Sequence, residues 1–236
     1  MKPNKDWIEQ AKRKAAVKAV QYVKDGFVVG LGSGSTAAYA IKEIGKRIKH
    51  EQLHVFGIPT SYQALLLAVE NKIPIVTLEE HPVIDVTIDG ADQIDNSLNL
   101  IKGNGGALTK EKVVASASKR LIIVADESKK VEILGENNHP IPIEVIPFAT
   151  PFVKNKIKEN GGESTVREGV KKVGPVITDN GNMIIDATFG FIRNPKELDQ
   201  KLRSIPGVIE TGLFVGMVDE VYLGKRSGVE KLLQKR

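Results

Sequence analysis

Residues 27–31 are a short apolar run that passes through Gly32-Ser33-Gly34-Ser35-Thr36 into a stretch placing Ala40, Ile41, Ile44 and Ile48 on one helical face. Strand, glycine turn and helix in that order open a parallel α/β unit. Few other architectures accept this opening. The alternation continues with strands at 55–58, 73–77, 83–88, 98–101 and 121–126, and with helices at 61–71 and 108–118. Short β-branched strands separated by helices predict a parallel sheet covered on both faces. Ahead of it, Ile8, Ala11, Ala15, Ala19 and Tyr22 recur at three- and four-residue steps, which predicts an amphipathic helix ended by Asp25-Gly26.

The rhythm changes after about residue 130. Gly135-Glu136-Asn137-Asn138-His139-Pro140 reads as a linker. Beyond it the pattern predicts strand 143–148, helix 152–159, strand 164–167 with 176–178, strand 183–188, helix 196–205 and strand 208–214. Asp179-Asn180-Gly181 marks the hairpin turn. This β-α-β-β-α-β order is that of a split βαβ domain. A strand at 220–224 and a closing helix at 229–233 would return to the first sheet. The expected division is residues 1–130 with 208–236 as an α/β catalytic domain, and 131–207 as a small α+β domain.

Composition narrows the function. Hydrophobic residues are 41% and charged residues 27% of the 236, so the chain can build a core and is not disordered. It has no cysteine, which removes disulfides, thiolate catalysis and Cys-based metal sites. His50, His54, His81 and His139 lack metal-ligand spacing. No signal-like apolar core opens the sequence, and its longest clean apolar run, 121–125, is too short for a bilayer. A soluble, cytoplasmic protein with no membrane association is expected. Net charge is 34 − 29 = +5, yet lysines are interleaved with acids and aromatics are 5%. Nucleic acid is therefore not the expected partner; a small anionic substrate is.

Three segments carry chemistry. At the strand-to-helix junction, Ser33, Gly34, Ser35 and Thr36 offer backbone N–H groups and hydroxyls to an anion. The dinucleotide and P-loop patterns both fail there, so the choice is a small phosphate or a bare turn. Asp89-Gly90-Ala91-Asp92 follows an apolar strand and would stand at the carboxyl edge of the sheet, as a ligand site or as an Asx-rich turn. Lys102-Gly103-Asn104-Gly105-Gly106 leads into a helix carrying Glu111. That glutamate is either a general base, with Lys102 stabilising negative charge, or a charge complementing the helix dipole.

Taken together, these segments resemble the type A ribose-5-phosphate isomerases. Support comes from Gly32-Ser33-Gly34-Ser35-Thr36-Ala37, Asp89-Gly90-Ala91-Asp92 and Lys102-Gly103-Asn104-Gly105-Gly106-Ala107-Leu108-Thr109-Lys110-Glu111-Lys112. Ala125-Asp126-Glu127-Ser128-Lys129, Glu144-Val145-Ile146-Pro147-Phe148, Thr178-Asp179-Asn180-Gly181-Asn182 and Ile205-Pro206-Gly207-Val208 agree as well. Asn104 departs from a loop that is often more uniformly glycine.

The resemblance implies a Rossmann-like, mostly parallel sheet with helices on both faces, plus a smaller ferredoxin-like α+β domain. It implies metal-independent, cofactor-free interconversion of D-ribose 5-phosphate and D-ribulose 5-phosphate in the pentose phosphate pathway, by a homodimer or homotetramer. Glu111 matches the base, with Asp89, Asp92 and Lys102 as the other catalytic groups. Ser33 to Thr36 match the phosphate loop. Gly90, Ala91, Gly103, Asn104, Gly105, Lys129 and Lys12 complete the implied substrate contacts. Two rivals, a sugar-phosphate sensor and an amino-sugar phosphate deaminase or CoA transferase, fit less well. The first lacks a spare DNA-binding segment, and the 102–111 motif speaks against the second.

Overall fold

The computed structural model describes residues 6–234. The chain begins with α1 (Asp6–Val20), β1 (Val28–Leu31), α2 (Gly34–Glu51), β2 (Phe56–Pro59), α3 (Tyr62–Glu70) and β3 (Val86–Asp89). Two short strands, β4 (Gln93–Ile94) and β5 (Leu100–Ile101), precede α4 (Leu108–Ser116) and β6 (Leu121–Asp126). Next come β7 (Ile141–Val145), α5 (Thr150–Glu159), β8 (Glu163–Val166), β9 (Met183–Thr188), α6 (Pro195–Arg203) and β10 (Val208–Thr211). Strands β11 (Leu213–Phe214), β12 (Glu220–Lys225) and β13 (Gly228–Leu233) complete the order.

The chain forms two compact units. The larger holds the chain up to Ala91, Lys110–Lys129 and the chain from Met217; the smaller holds Asp92–Thr109 and Lys130–Gly216. In the larger unit six strands are ordered β13-β12-β6-β3-β1-β2, and every pair is parallel except the β12–β13 hairpin. Strand alternation turns Val29 and Leu31 toward a core shared with Ala15, Ala19, Ile41 and Ile44 of α1 and α2. Val28 faces the other way, against Val114 of α4. Helices therefore cover both faces, as expected.

In the smaller unit four antiparallel strands run β10-β7-β9-β8, the order of a ferredoxin-like split βαβ. Ile141, Ile143, Val145, Ile185 and Ala187 bury one face of that sheet against Val153 and Ile157 of α5 and Leu202 of α6. A separate three-stranded sheet, β11-β5-β4, belongs to the same unit.

Several elements differ from expectation. Residues 229–233 are strand, not helix. Val229, Leu232 and Leu233 fit a helical step, but five residues are too few to hold a helix alone, and β12 offers a complete edge. Lys225 pairs with Gly228 across a two-residue turn. Lys225–Glu230 (2.6 Å) and Lys231–Glu220 (2.9 Å) ion pairs lie across the hairpin. Residues 73–77 make only a single bridge, Gly57 to Ile75, because Lys72 takes φ +58° and Pro74 has no N–H for a ladder. The expected strand at 208–214 breaks at Gly212 and serves two sheets. A Cβ there would stand 2.2 Å from the carbonyl oxygen of Lys102, so only glycine makes the switch. The pairing of β11 with β5 groups 92–101 with 213–214, whereas the expected boundary assigned both stretches to the α/β part. The linker at 135–140 contains a short 3₁₀ turn, Glu136–Asn138, held by the Gln93 side chain through the Gly135 N–H (2.8 Å) and the Glu136 carbonyl (2.9 Å).

Candidate active site

In the larger unit the parallel strands β6, β3, β1 and β2 lie side by side, so their carboxyl ends emerge at one edge. That edge is where open α/β sheets bind ligands. It carries the turn 32–36 after β1, Thr60 and Ser61 after β2, Asp89 and Gly90 at the end of β3, and Lys129 in the 3₁₀ turn Glu127–Lys129 after β6.

The turn is built around Asp89, which is 1% exposed. Its Oδ1 accepts N–H bonds from Ser33 (3.0 Å) and Gly90 (2.7 Å). A Cβ on residue 32 would fall 2.2 Å from that same oxygen, which explains Gly32. Gly34 adopts φ +92° and starts α2, whose first turn contains no acidic residue. The Ser33 hydroxyl donates to Ser61 Oγ (2.6 Å) and lies 2.8 Å from Thr60 Oγ1, while the Gly34 N–H donates to Gln63 Oε1 (2.8 Å). Thr60, Ser61 and Gln63 are thus part of this wall, and the sequence reading missed them. Their signal was their place just after a strand on the same edge.

Lys12 joins the loop from α1. Its ammonium donates to Ser35 Oγ (3.2 Å) and pairs with Glu9 (2.8 Å), whose other oxygen accepts from Tyr39 (2.8 Å). That last bond is the main cause that pushes the Tyr39 phenol above its ordinary value. Thr36 is half-buried in the first turn of α2. Glu111 sits in the first turn of α4 and is only 4% exposed. The Asp126 carboxylate shapes the turn before Lys129 by accepting from Ser128 N–H (3.1 Å) and Oγ (2.5 Å).

In the smaller unit, Asp92 Oδ2 accepts the Asn104 N–H (2.9 Å), joining the second aspartate to the glycine loop. Lys102 is 3% exposed, its N–H bonds the Gly212 carbonyl (2.8 Å), and its ammonium stands 5.4 Å from the centre of the Phe214 ring. Gly103 and Gly106 both take positive φ and close a turn through the Gly106 N–H to the Gly103 carbonyl (3.0 Å). Asn104 and Gly105 are exposed at its tip. The departure from glycine at 104 is therefore accommodated at a solvent-facing position. Ala91 ends the first segment of the larger unit, and Asp92 opens the first segment of the smaller one.

Of the histidines, His81 stacks on Phe56 and His54 lies 3.2 Å from Asp25 at the surface. No helix among the described residues is long and apolar enough to cross a membrane.

Comparison with known proteins places the chain in a family. The sequence profile of ribose 5-phosphate isomerase A (phosphoriboisomerase A) matches residues 56–228. The ribose-5-phosphate isomerase A of Methanosarcina acetivorans is 48% identical over 225 residues, 95% of this chain and 94% of that one. The solved ribose 5-phosphate isomerase A of Methanocaldococcus jannaschii is 50% identical, with a TM-score of 0.92 over 95% of this chain and 99% of that one. A D-ribose-5-phosphate isomerase solved in complex with phospho-erythronic acid is 46% identical, with a TM-score of 0.93 over 96% of this chain and 99% of that one. The chain therefore belongs to the ribose 5-phosphate isomerase A family.

Proposed function

We propose that this family member interconverts D-ribose 5-phosphate and D-ribulose 5-phosphate through a cis-enediolate, as a step of the pentose phosphate pathway. Glu111 is the base. It removes the C2 proton of the open-chain aldose and returns it to C1, while a proton moves from O2 to O1. Lys102 stabilises the negative charge that develops on those oxygens. Asp89 assists ring opening, and Asp92 holds sugar hydroxyls. The phosphate rests on Ser33, Gly34, Ser35 and Thr36 with Lys129 and Lys12 nearby, and Gly90, Ala91, Gly103, Asn104 and Gly105 form the remaining contacts. The α/β part supplies the base and the phosphate loop.

The observation that carries this reading is Glu111, a carboxylate 4% exposed in the first turn of a helix that follows a glycine loop. The relative with bound phospho-erythronic acid supports a sugar-phosphate substrate, since that ligand joins a phosphate to an acid end whose charge resembles an enediolate. The same family reading includes cytoplasmic operation as a homodimer or homotetramer, measurable by light scattering.

The decisive experiment is ribulose 5-phosphate formation by wild type and Glu111→Gln. The amide keeps the shape of the side chain and cannot take the proton. A kcat lower by about 10²–10⁴-fold with nearly unchanged substrate binding is expected. Retention of more than about a tenth of kcat would refute the role of Glu111.

A further inference from the structure

Two stretches that carry the family resemblance, 144–148 and 178–182, have no part in the reaction as written. They meet at one carboxylate. Glu144 of β7 is fully buried, at 0% exposure. Its Oε1 accepts from Thr178 Oγ1 (2.9 Å), Asn180 Nδ2 (3.0 Å) and Asn182 Nδ2 (2.8 Å). Its Oε2 accepts from Thr109 Oγ1 (2.5 Å), two residues before Glu111. A second charged group reaches the other end of the same loop. Arg167, just past β8, donates through Nη1 to the carbonyls of Gly103 and Asn104, 2.9 Å each. Its Nε donates to Asp186 Oδ2 (2.8 Å), and its Nη2 pairs with Asp186 Oδ1.

The strand register explains why these groups share a surface. Ile143 and Ile185 point into the core under α5 and α6, so alternation turns Pro142, Glu144, Ile184 and Asp186 to the opposite face. Segment 102–109 lies on that face. A Cβ at Gly103 would stand 3.1 Å from Pro142 Cβ, and one at Gly106 would stand 3.3 Å from Ile184 Cδ1.

We propose that Glu144 and the Arg167–Asp186 pair are positioning residues that pin the two ends of segment 102–109 to the face of the four-stranded sheet opposite α5 and α6. A loop with glycine at 103, 105 and 106 has more backbone freedom to lose than any other kind. Bonds to charged groups are the strong ones, and they are placed at the two ends of that loop. Burying Glu144 is costly in itself, and its four donors offset the cost without making it an evident source of stability. Its gain is definition of the backbone between Lys102 and the helix turn that carries Glu111. Displacement of reacting groups by about 1 Å costs up to about 100-fold in rate. This consequence for turnover rests on the function proposed above.

Thr109→Val deletes one hydroxyl at nearly constant volume. It is expected to lower kcat about tenfold with KM within about threefold, and Thr109→Ser to restore kcat to within about threefold of wild type. Arg167→Met is expected to raise hydrogen-exchange rates of the 104–106 amides at least about tenfold. Should Arg167→Met not fold, Asp186→Asn is read by the same exchange measurement. Wild-type kcat in Thr109→Val, equal losses in the Val and Ser variants, or unchanged exchange at 104–106 would each overturn the inference. Exchange does not depend on turnover. A wild-type chain without isomerase activity would remove the functional reading and leave the exchange result to decide the clamp.

Discussion

Asp89 Oδ1 accepts backbone N–H bonds from Ser33, in the turn after β1, and from Gly90, so that turn and the end of β3 are ordered as one piece. The consequence falls on Thr36. Its neighbour Ser33 spends its hydroxyl on Ser61, and the Gly34 N–H is taken by Gln63. Thr36 and Ser35, beside Lys12, are then the hydroxyls best placed to receive an anion at the start of α2. Loss of a hydrogen bond to a charged group costs about 1.5–3 kcal/mol, so Thr36→Ala is expected to raise KM for ribose 5-phosphate at least about tenfold. Some fall in kcat is allowed, because remote binding energy also orients the reacting carbons. Unphosphorylated ribose is the control: the variant and wild type should turn it over equally poorly. Equal proportional losses on both sugars would assign Thr36 to the fold or the chemistry instead.

At the scale of elements, the parallel sheet is held in register partly by side chains at its amino edge. Asp85, just before β3, accepts the Val28 N–H (2.9 Å) and the Lys119 ammonium (2.7 Å), while its own N–H reaches the Val28 carbonyl (2.9 Å). Burial is the largest single influence on this carboxyl and pushes it up; the Lys119 and Val28 bonds together outweigh it, so it titrates below its ordinary value. A lower folded value means that the charged form stabilises the fold above about pH 4, and that this is lost as pH falls through the folded value. Asp85→Asn should therefore cost about 1 kcal/mol at pH 7 and less near pH 2, read from urea melts. An equal deficit at both pH values would show that shape, not charge, holds the strand. Sequence reasoning placed β1 and β6 well because their apolar runs are buried on both faces, and it started β3 three residues early. It failed where tertiary pairing decides the outcome. The run at 229–233 has a helical step but pairs as β13, and β4, two residues long, has no period to read. Likewise Asp89 and Lys102 announce themselves beside glycines and Glu111 on the helix after a glycine loop, whereas Arg167 and Asp186 lie 19 positions apart and are joined only by the β8–β9 register.

For the molecule as a whole, the distribution of charge bears on how negative charge in an enediolate is met. Some enzymes meet it with a bound divalent ion acting as a Lewis acid. This chain carries no cysteine, and among the described residues no three His, Asp or Glu side chains stand together as a metal-holding group. Two of its acids at the proposed site are already engaged by the backbone: Asp89 through Ser33 and Gly90, Asp92 through Asn104. In the proposed function that cation is Lys102, 3% exposed, where a low local dielectric makes its charge count for more than it would in water. Exhaustive dialysis against EDTA is therefore expected to leave the rate of ribose 5-phosphate isomerisation unchanged. The check is a rate measured before and after chelation, and again after each of several divalent ions is added back. A loss on chelation that one ion restores would place the charge-stabilising cation outside the polypeptide, and the role given to Lys102 would fall with it.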